Sequence, residues 1–147
     1  MSDDTLELEL FLPYRLNRLA DAVSRDFSRI YRQRFGMTRP EWRLLATLGQ
    51  YGTMTATAVG RHSAMHKTKV SRAVTALEKR RWLSRSADAT DRRAEQLALT
   101  RSGMAAYREL VPAANAFEQR MMEKMSVSDR EAVLKGLLAL ENATRGT

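Results

Sequence analysis

The stretch AMHKTKVSRAVTALEKRRW, from Ala64 to Trp82, carries the most informative pattern in this chain of 147 residues. At about 100° per residue, its apolar residues fall on one narrow face: Val70, Ala73, Val74 and Leu77. The opposite face and its margins carry hydroxyl and cationic residues: Thr68, Arg72, Thr75 and Lys79, with Lys67, Lys69, Arg80 and Arg81 beside them. This pattern predicts a helix that packs through one side and presents a cationic surface to a partner on the other.

The positive charge of the chain is concentrated around this stretch. The formal net charge is +8. Residues 61–101 contain eleven Lys or Arg against four acidic residues, a net charge of +7. Residues 1–60 have a net charge of +1, and residues 102–147 have a net charge of 0. Such a basic block indicates a polyanionic partner, with nucleic acid as the first candidate and an anionic membrane surface as the second.

Other properties of the sequence narrow the class of protein. The length suits one domain that buries a core without disulfides or metals. The chain has no cysteine, which excludes a disulfide framework and a redox-sensing thiol. The acidic N-terminus is not followed by a signal-peptide pattern, and no apolar run approaches the roughly 20 residues that span a bilayer. We therefore expect a soluble, cytoplasmic protein.

A long first helix is predicted upstream of the basic stretch. Pro13 suits the first turn of a helix, because its fixed φ is helical and its missing N–H would be unpaired there anyway. Apolar residues then recur at helical spacing, and Gly36 is a plausible stop. Helix 1 is therefore predicted at about residues 13–35.

Two shorter helices are predicted to follow. Thr38 and Glu41 have the spacing of a capping box at the start of helix 2. Its inward residues are Trp42, Leu45 and Leu48, and its end is predicted at Gly49 and Gly52. Thr55 can cap a short helix 3 that runs to about Arg61. The basic stretch then forms helix 4.

The hydrophobic period changes after helix 4. Leu97 and Leu99 alternate with polar neighbours, as in a strand. We expect a hairpin of residues 82–86 and 95–99 with a charged tip.

Two helices are predicted to complete the chain. Thr100 can cap helix 5, in which Pro112 should introduce a kink. A second capping box, at Ser128 and Glu131, is predicted to open helix 6.

The order of these elements is that of a helix-turn-helix followed by a wing. A recognition helix needs one packing face and an opposite face that reaches bases and phosphates. The candidate DNA-contacting residues on helix 4 are Lys67, Thr68, Lys69, Ser71, Arg72, Thr75 and Lys79. At the hairpin tip, Arg92 and Arg93 are candidates for the adjacent minor groove. The alternative interpretation is a solvated cationic face with no partner.

The segment DRRAEQLALTRSG, from Asp91 to Gly103, resembles the wing signature of the MarR family, in which D-x-R is followed by L-T-x-x-G. The segment KTKVSR, from Lys67 to Arg72, resembles that family's recognition-helix opening. The resemblance implies a mainly α fold with a winged helix-turn-helix and a small β-hairpin wing. It also implies that Arg93 enters the minor groove and that Asp91 helps to orient it.

The resemblance further implies how the single MarR-like chain, 1–147, is divided. Residues 37–100 would bind DNA, and residues 6–36 and 101–147 would form a helical dimerisation region. The sequence supports a dimer independently, because the terminal helices carry more apolar surface than one small winged domain covers. A monomer whose helices pack only on each other is the alternative.

A two-fold symmetric dimer would bind two related half-sites, so it predicts a pseudo-palindromic operator. We expect a repressor, although an activator would use the same mechanism.

Many MarR-like proteins bind a small anionic or aromatic effector, and the resemblance implies such a ligand here. The candidate residues on helices 1 and 2 are Tyr14, Arg15, Arg18, Trp42 and Arg43. Aromatic rings and guanidinium groups suit an aromatic carboxylate or its CoA thioester. In the competing interpretation, Trp42 belongs to the core, and Arg15 and Arg18 are solvated or lie at the dimer interface.

An enzyme is not expected, because the sequence lacks a catalytic constellation, a metal-binding motif and a phosphate-binding loop. His62 and His66 are separated by the predicted turn, so we predict no metal site and no cofactor. The remaining rival is a winged-helix interaction module that uses its basic face on a protein or an anionic surface. Such a module would show little preference among duplex DNA sequences.

Overall fold

The computed structural model describes residues 4–91 and 93–145. Within these residues the chain forms six helices and a small antiparallel sheet. The helices are α1 (Leu12–Phe35), α2 (Arg39–Tyr51), α3 (Ala56–Ser63), α4 (Lys67–Lys79), α5 (Arg101–Glu123) and α6 (Val127–Thr144). The strands are β1 (Met54–Thr55), β2 (Leu83–Ala87) and β3 (Glu95–Leu99). The predicted fold class is confirmed: the chain is mainly α, with a winged helix-turn-helix.

The predicted signals at the start of α2 and at the end of α1 are confirmed. The Thr38 hydroxyl accepts the backbone N–H of Glu41 at 3.4 Å, and the Glu41 carboxylate accepts the backbone N–H of Thr38 at 2.8 Å. The two hydrogen bonds satisfy donors that a helix start leaves unpaired. Gly36 ends α1 with a φ of 64°, in the left-handed region that favours glycine.

The prediction that Gly49 helps to end the second helix is wrong. The helix continues through Gly49 to Tyr51, and Gly52, with a φ of 80°, is the residue that terminates it. Gly49 is instead a packing residue, because a Cβ placed there would lie 2.5 Å from the ring of Tyr107 on α5. The sequence shows the absence of a side chain at Gly49 but not the neighbour that requires it.

The wing is a three-stranded sheet with the order β1-β3-β2, one strand more than predicted. The hairpin itself is close to the prediction, with Leu83 opposite Leu99 and Ala87 opposite Glu95. Met54 and Thr55 pair with Leu97 and Gln96, respectively, to form β1. A strand of two residues is too short to show a period of two in the sequence, so the pattern did not reveal it.

One hydrophobic core unites the winged region with the C-terminal half of α1. Its most buried residues come from α1–α4, the connecting segments, the sheet and α5: Tyr31, Met37, Leu44, Leu45, Leu48, Val59, Leu77, Leu97 and Leu110. Trp42 packs at its edge, stacked on Tyr31 with ring centroids 5.8 Å apart and edge-on to Phe27 at 5.1 Å. The buried face predicted for helix 4 is confirmed, since its four apolar residues are all buried.

The chain divides into two compact units, one ending at Leu110 and the other beginning at Val111. Helix α5 continues without interruption through Pro112, and the kink predicted at this residue stays a prediction.

The predicted capping box at the start of α6 is wrong in position. Ser126, rather than Ser128, caps α6, and its hydroxyl accepts the backbone N–H of Asp129 at 3.1 Å. Both serines are good caps, and the sequence pattern did not discriminate between them.

The surface of α6 is unusual for a helix of a folded domain. No residue of α6 is buried, and its large apolar side chains are exposed: Val127, Val133, Leu134, Leu137 and Leu138. A second exposed apolar group lies near the other end of the chain: Leu6, Leu8, Leu10, Phe11, Leu12, Leu16 and Leu19. In the part of the chain that the structure describes, no helix is long and apolar enough to cross a membrane.

Candidate nucleic-acid interface

A tight turn between α3 and α4 sets the direction of the basic helix relative to α3. Thr55 caps α3 as predicted, with its hydroxyl accepting the backbone N–H of Ala58 at 3.1 Å. Ala64 then adopts a left-handed φ of 52° and ends α3. His66 forms the N-cap of α4, so the helical part of the opening stretch begins at Lys67. The turn therefore consists of Ala64, Met65 and His66, which the sequence analysis had placed at the start of the basic stretch.

The outer face of α4 is open to solvent. All seven candidate residues on this helix are exposed: Lys67, Thr68, Lys69, Ser71, Arg72, Thr75 and Lys79. Among residues 4–91 and 93–145, none of its Lys and Arg candidates forms an ion pair. The Thr75 hydroxyl donates to the Ser71 carbonyl at 3.1 Å, which leaves its lone pairs available to a partner. The face therefore offers uncompensated positive charge together with hydroxyl groups.

The wing tip is ordered by two aspartates that bind backbone amides. Asp88 accepts the backbone N–H of Thr90 at 2.9 Å and its hydroxyl at 3.0 Å, and these hydrogen bonds lower the pKa of the Asp88 carboxyl below its usual value. Asp91 accepts the backbone N–H of Arg93 at 2.9 Å. The Asp91 carboxylate thus fixes the backbone beside Arg93, whose side chain is exposed. Arg92 lies outside the described residues.

The L-T-x-x-G segment fastens the base of the wing to the end of α4. The backbone N–H of Thr100 donates to the carbonyl of Trp82 at 2.9 Å, and its hydroxyl donates to the carbonyl of Arg81 at 2.7 Å. The same hydroxyl accepts the N–H of Gly103 at 3.1 Å. A Cβ at Gly103 would lie 2.1 Å from the carbonyl oxygen of Trp82, so no other residue fits without a shift. The threonine and the glycine thereby hold the hairpin against the recognition helix.

Sequence reasoning missed a groove between α3, α4 and the wing. The groove has a volume of about 700 Å³. Its cationic residues are Arg61, Lys67, Arg85 and Arg93, and the apolar side chains of Val70, Val74 and Leu97 line its inner part. Arg61 was not a predicted site residue because its helix was too short to show which face it occupies. Glu95 also lines the groove, and Arg85 is paired with Glu78 and Glu95, so the positive charge that continues from α4 towards the wing comes from Arg61, Lys67 and Arg93.

His62 and His66 lie in different local environments. The Nε2 atom of His62 lies 3.0 Å from the hydroxyl of Tyr51, and His66 caps α4. Within the described residues, no group of three His, Cys, Asp or Glu side chains is arranged to hold a metal ion.

Three of the predicted effector residues lie together near the start of α1. Tyr14, Arg15 and Arg18 line a shallow cavity of about 550 Å³ at the start of α1. The Arg18 guanidinium lies 5.8 Å from the ring centroid of Tyr14. These residues form one local group on α1.

The other two predicted effector residues lie elsewhere. Trp42 packs against Phe27, which is about 20 Å from Tyr14 along α1 at 1.5 Å per residue. The guanidinium of Arg43 donates to the carbonyl of Ser63, so it braces α2 against α3. Within one chain, Trp42 and Arg43 therefore lie apart from the group on α1, and the role of all five residues in effector binding stays a prediction.

The sequence and the fold are both similar to those of known transcriptional regulators. A sequence profile of the MarR family matches residues 35–94, which span α2 to the wing tip. The chain is 29% identical to the MarR family transcriptional regulator SPO1453 from Silicibacter pomeroyi DSS-3, with a TM-score of 0.74 over 93% of this chain and 98% of that one. The winged region of this chain, at residues 35–94, is therefore similar to the MarR family. MarR-family proteins are DNA-binding transcriptional regulators and not enzymes.

Two further MarR-like structures share the fold at lower identity. The S. aureus MepR–DNA complex is 20% identical, with a TM-score of 0.78 over 92% of this chain and 99% of that one. Bordetella bronchiseptica BpsR, whose DNA binding is regulated by 6-hydroxynicotinic acid, is 23% identical, with a TM-score of 0.72 over 86% of this chain and 98% of that one. A search of curated protein sequences finds no match.

Proposed function

We propose that this protein is a cytoplasmic, homodimeric repressor of the MarR family. It binds a pseudo-palindromic duplex operator through α4 and the wing, and a small aromatic anion releases it. The observation that carries the proposal is the outer face of α4, where exposed Arg72 and Lys79 lie opposite a fully buried apolar stripe. Neither cation forms an ion pair among the described residues. A helix with these two faces matches the requirements of a major-groove recognition helix.

The exposed residues of α4 divide by their chemistry into two kinds of contact. Arg72 lies on the face opposite the core, where a guanidinium can bind the O6 and N7 atoms of guanine. Thr68, Ser71 and Thr75 supply hydroxyl groups for bases or backbone. Lys67, Lys69 and Lys79 are point charges suited to phosphates.

The wing supplies the second contact in the proposed complex. The exposed Arg93 follows a backbone held by Asp91, and narrow A·T-rich minor grooves attract arginine. Arg92 would contribute to the same contact. Arg93→Ala should therefore weaken binding more on operators with A·T-rich flanks than on operators with G·C-rich flanks. Equal losses on the two kinds of flank, measured by titration of matched duplexes, would remove the minor-groove role.

The proposed dimer rests on the exposed apolar residues near the two ends of the chain. Leu134 and Leu138 are 59% and 55% exposed, and Leu10 and Leu19 are 69% and 62% exposed. Monomeric soluble proteins rarely leave large apolar patches in water, so such surfaces mark interfaces. The symmetric dimer would bring two copies of α4 to half-sites about one helical turn of DNA apart.

The proposed effector site is the aromatic and cationic group at the start of α1. Tyr14, Arg15 and Arg18 line its cavity, and their chemistry suits an aromatic carboxylate or its CoA thioester. The regulation of BpsR by 6-hydroxynicotinic acid supports this ligand class. Arg18→Ala should reduce the response to such a ligand without changing operator affinity. An unchanged response would exclude this site.

The decisive experiment is selection of duplex DNA with the purified full-length protein, followed by titration of the enriched sequence at several salt concentrations. An enriched pseudo-palindrome bound by one dimer is the expected result. The logarithmic salt slope should be about −0.9 per phosphate contacted. Weak, salt-sensitive binding with no enriched sequence would overturn the proposal and favour an anion-binding interaction module. The same probe then reports release by aromatic acids and their CoA thioesters.

A further inference from the structure

One arginine of the wing connects the recognition helix with the far strand of the hairpin. The guanidinium of Arg85 on β2 donates from Nε to Glu78 Oε2 at 3.0 Å and from Nη2 to Glu78 Oε1 at 3.3 Å. Its Nη1 atom donates to Glu95 Oε2 on β3 at 3.2 Å. Its hydrogen bonds to Glu78 and Glu95 raise the pKa of Arg85 above its ordinary value.

The pleat of the hairpin explains why this residue reaches both acids. Arg85 is two residues from Leu83 and is paired with Leu97, and both leucines are buried. Side chains two apart on a strand share a face, so Arg85 and Glu95 extend the helix-facing side of the sheet towards its tip. Arg85 and Glu95 are diagonal neighbours across the ladder, within reach of long side chains.

The Arg85 network differs from an ordinary surface ion pair in two respects. The contact with Glu78 is bidentate, with two parallel hydrogen bonds, so it restrains the orientation of the guanidinium as well as its distance. A third contact joins a different strand, so one planar group is held from two sides. A flexible lysine cannot reproduce this arrangement, because its ammonium is a single point charge.

We propose that Arg85 is a positioning residue for DNA recognition, which sets the wing tip relative to α4 through Glu78 and Glu95. This inference rests on the proposed function of the winged region. Arg93 is the wing residue whose position Arg85 would fix, since it lies two residues before Glu95 on the same hairpin. With Arg85 in place, the recognition helix and the wing present their contacts at a fixed spacing. Without it, the tip moves independently of α4.

A double-mutant cycle in the full-length protein tests this role. The dissociation constant for the selected operator is measured for wild type, Arg85→Ala, Arg93→Ala and the double variant. Arg93→Ala should weaken binding in the wild-type background, and its penalty should shrink by about fivefold when Arg85 is alanine, a coupling of the size found between residues of one network. An equal penalty in the two backgrounds would overturn the inference.

A second variant separates positioning from direct phosphate binding and replaces Arg85→Ala if that protein does not fold. Glu78→Ala/Glu95→Ala keeps Arg85 but removes both of its partners. A positioning role predicts that the Arg93→Ala penalty also shrinks in this background. Tighter binding to every duplex with an intact Arg93→Ala penalty would show that Arg85 is a phosphate-binding cation, and the inference would fail.

Two controls complete the experiment. Arg108→Ala removes an exposed arginine of α5 that forms no ion pair among the described residues, and it should leave the Arg93→Ala penalty unchanged. Arg85→Lys should restore only part of the coupling, because lysine cannot form the bidentate contact. If wild type bound no duplex, the proposed function and this inference would both fail. If wild type bound and the cycle were additive, this inference alone would fail.

Discussion

The winged region and α6 bury their leucines very differently. In the winged region, Leu44 and Leu45 are 0% exposed, whereas on α6 Leu134 and Leu138 are 59% and 55% exposed. The winged region therefore completes its core within one chain, and α6 does not. An amphipathic helix gains most of its stability from packing its apolar face. The exposed apolar face of α6 therefore requires another surface to pack against, and we propose that this surface is a second copy of the chain.

The largest expected effect comes from changing α6. Leu134→Glu/Leu138→Glu should destabilise the proposed dimer by about 3–6 kcal/mol per protomer, because each buried leucine contributes about 1.5–3 kcal/mol. Sedimentation or light scattering at several concentrations measures the change. Lys135→Glu is the control, since it changes the net charge equally on the same helix. A double variant with wild-type oligomeric state would show that this face of α6 is not an interface.

A substitution in the core of the winged region should lower the stability of each chain rather than weaken the proposed dimer directly. Leu45→Ala should lower the free energy of unfolding by about 2–5 kcal/mol, since a fully buried leucine leaves a cavity. Chemical denaturation at two protein concentrations measures it. Leu137→Ala on the exposed face of α6 is the matched control, whose effect should depend on protein concentration. If both variants behaved alike, the contrast between the two regions would be lost.

Changes on the outer face of α4 should affect DNA and leave folding unchanged. Arg72→Ala should cost about 1–3 kcal/mol of operator binding and relax base preference, because the proposed guanine contact is bidentate. Lys79→Ala should instead weaken all sequences about equally and reduce the salt slope by about 0.9. Titrations on operator and random duplexes distinguish the two. Equal losses for Arg72→Ala on both duplexes would refute its base contact.

The smallest expected effect concerns the start of α2. Thr38→Ala should cost about 1 kcal/mol of stability, because the hydroxyl that accepts the Glu41 amide is lost. Thr38→Ser keeps the hydroxyl and should retain most of the wild-type stability in thermal unfolding. If the serine variant lost as much stability as the alanine variant, the cap would not be the source of the effect.

Local signals predicted most of the secondary structure because each depends on a few neighbouring residues. The cap at Thr38, the left-handed stop at Gly36 and the buried stripe of α4 depend on local backbone chemistry or a single helical period. The hairpin was predicted by a change of period and a polar tip. Where two local signals were equivalent, as at Ser126 and Ser128, the sequence did not choose the correct one.

The candidate DNA face was predictable for the same reason. Thr68, Arg72 and the other predicted residues of α4 are exposed because a helix with one buried face exposes the opposite one. Their roles in DNA binding remain predictions. Arg61 and Arg85 were missed, since their importance depends on the groove and on partners from other elements.

Composition, period and a local motif agree, so the amino-acid sequence is enough to predict the winged-helix class, the position of the basic helix and the resemblance to the MarR family. Three-dimensional packing was needed to show that Gly49 makes room for Tyr107, that Met54 and Thr55 extend the sheet, and that Trp42 packs against the core. It also decided that Arg85 joins Glu78 to Glu95. Each of these depends on a contact between residues distant along the chain, and no local period or propensity encodes which distant surfaces meet.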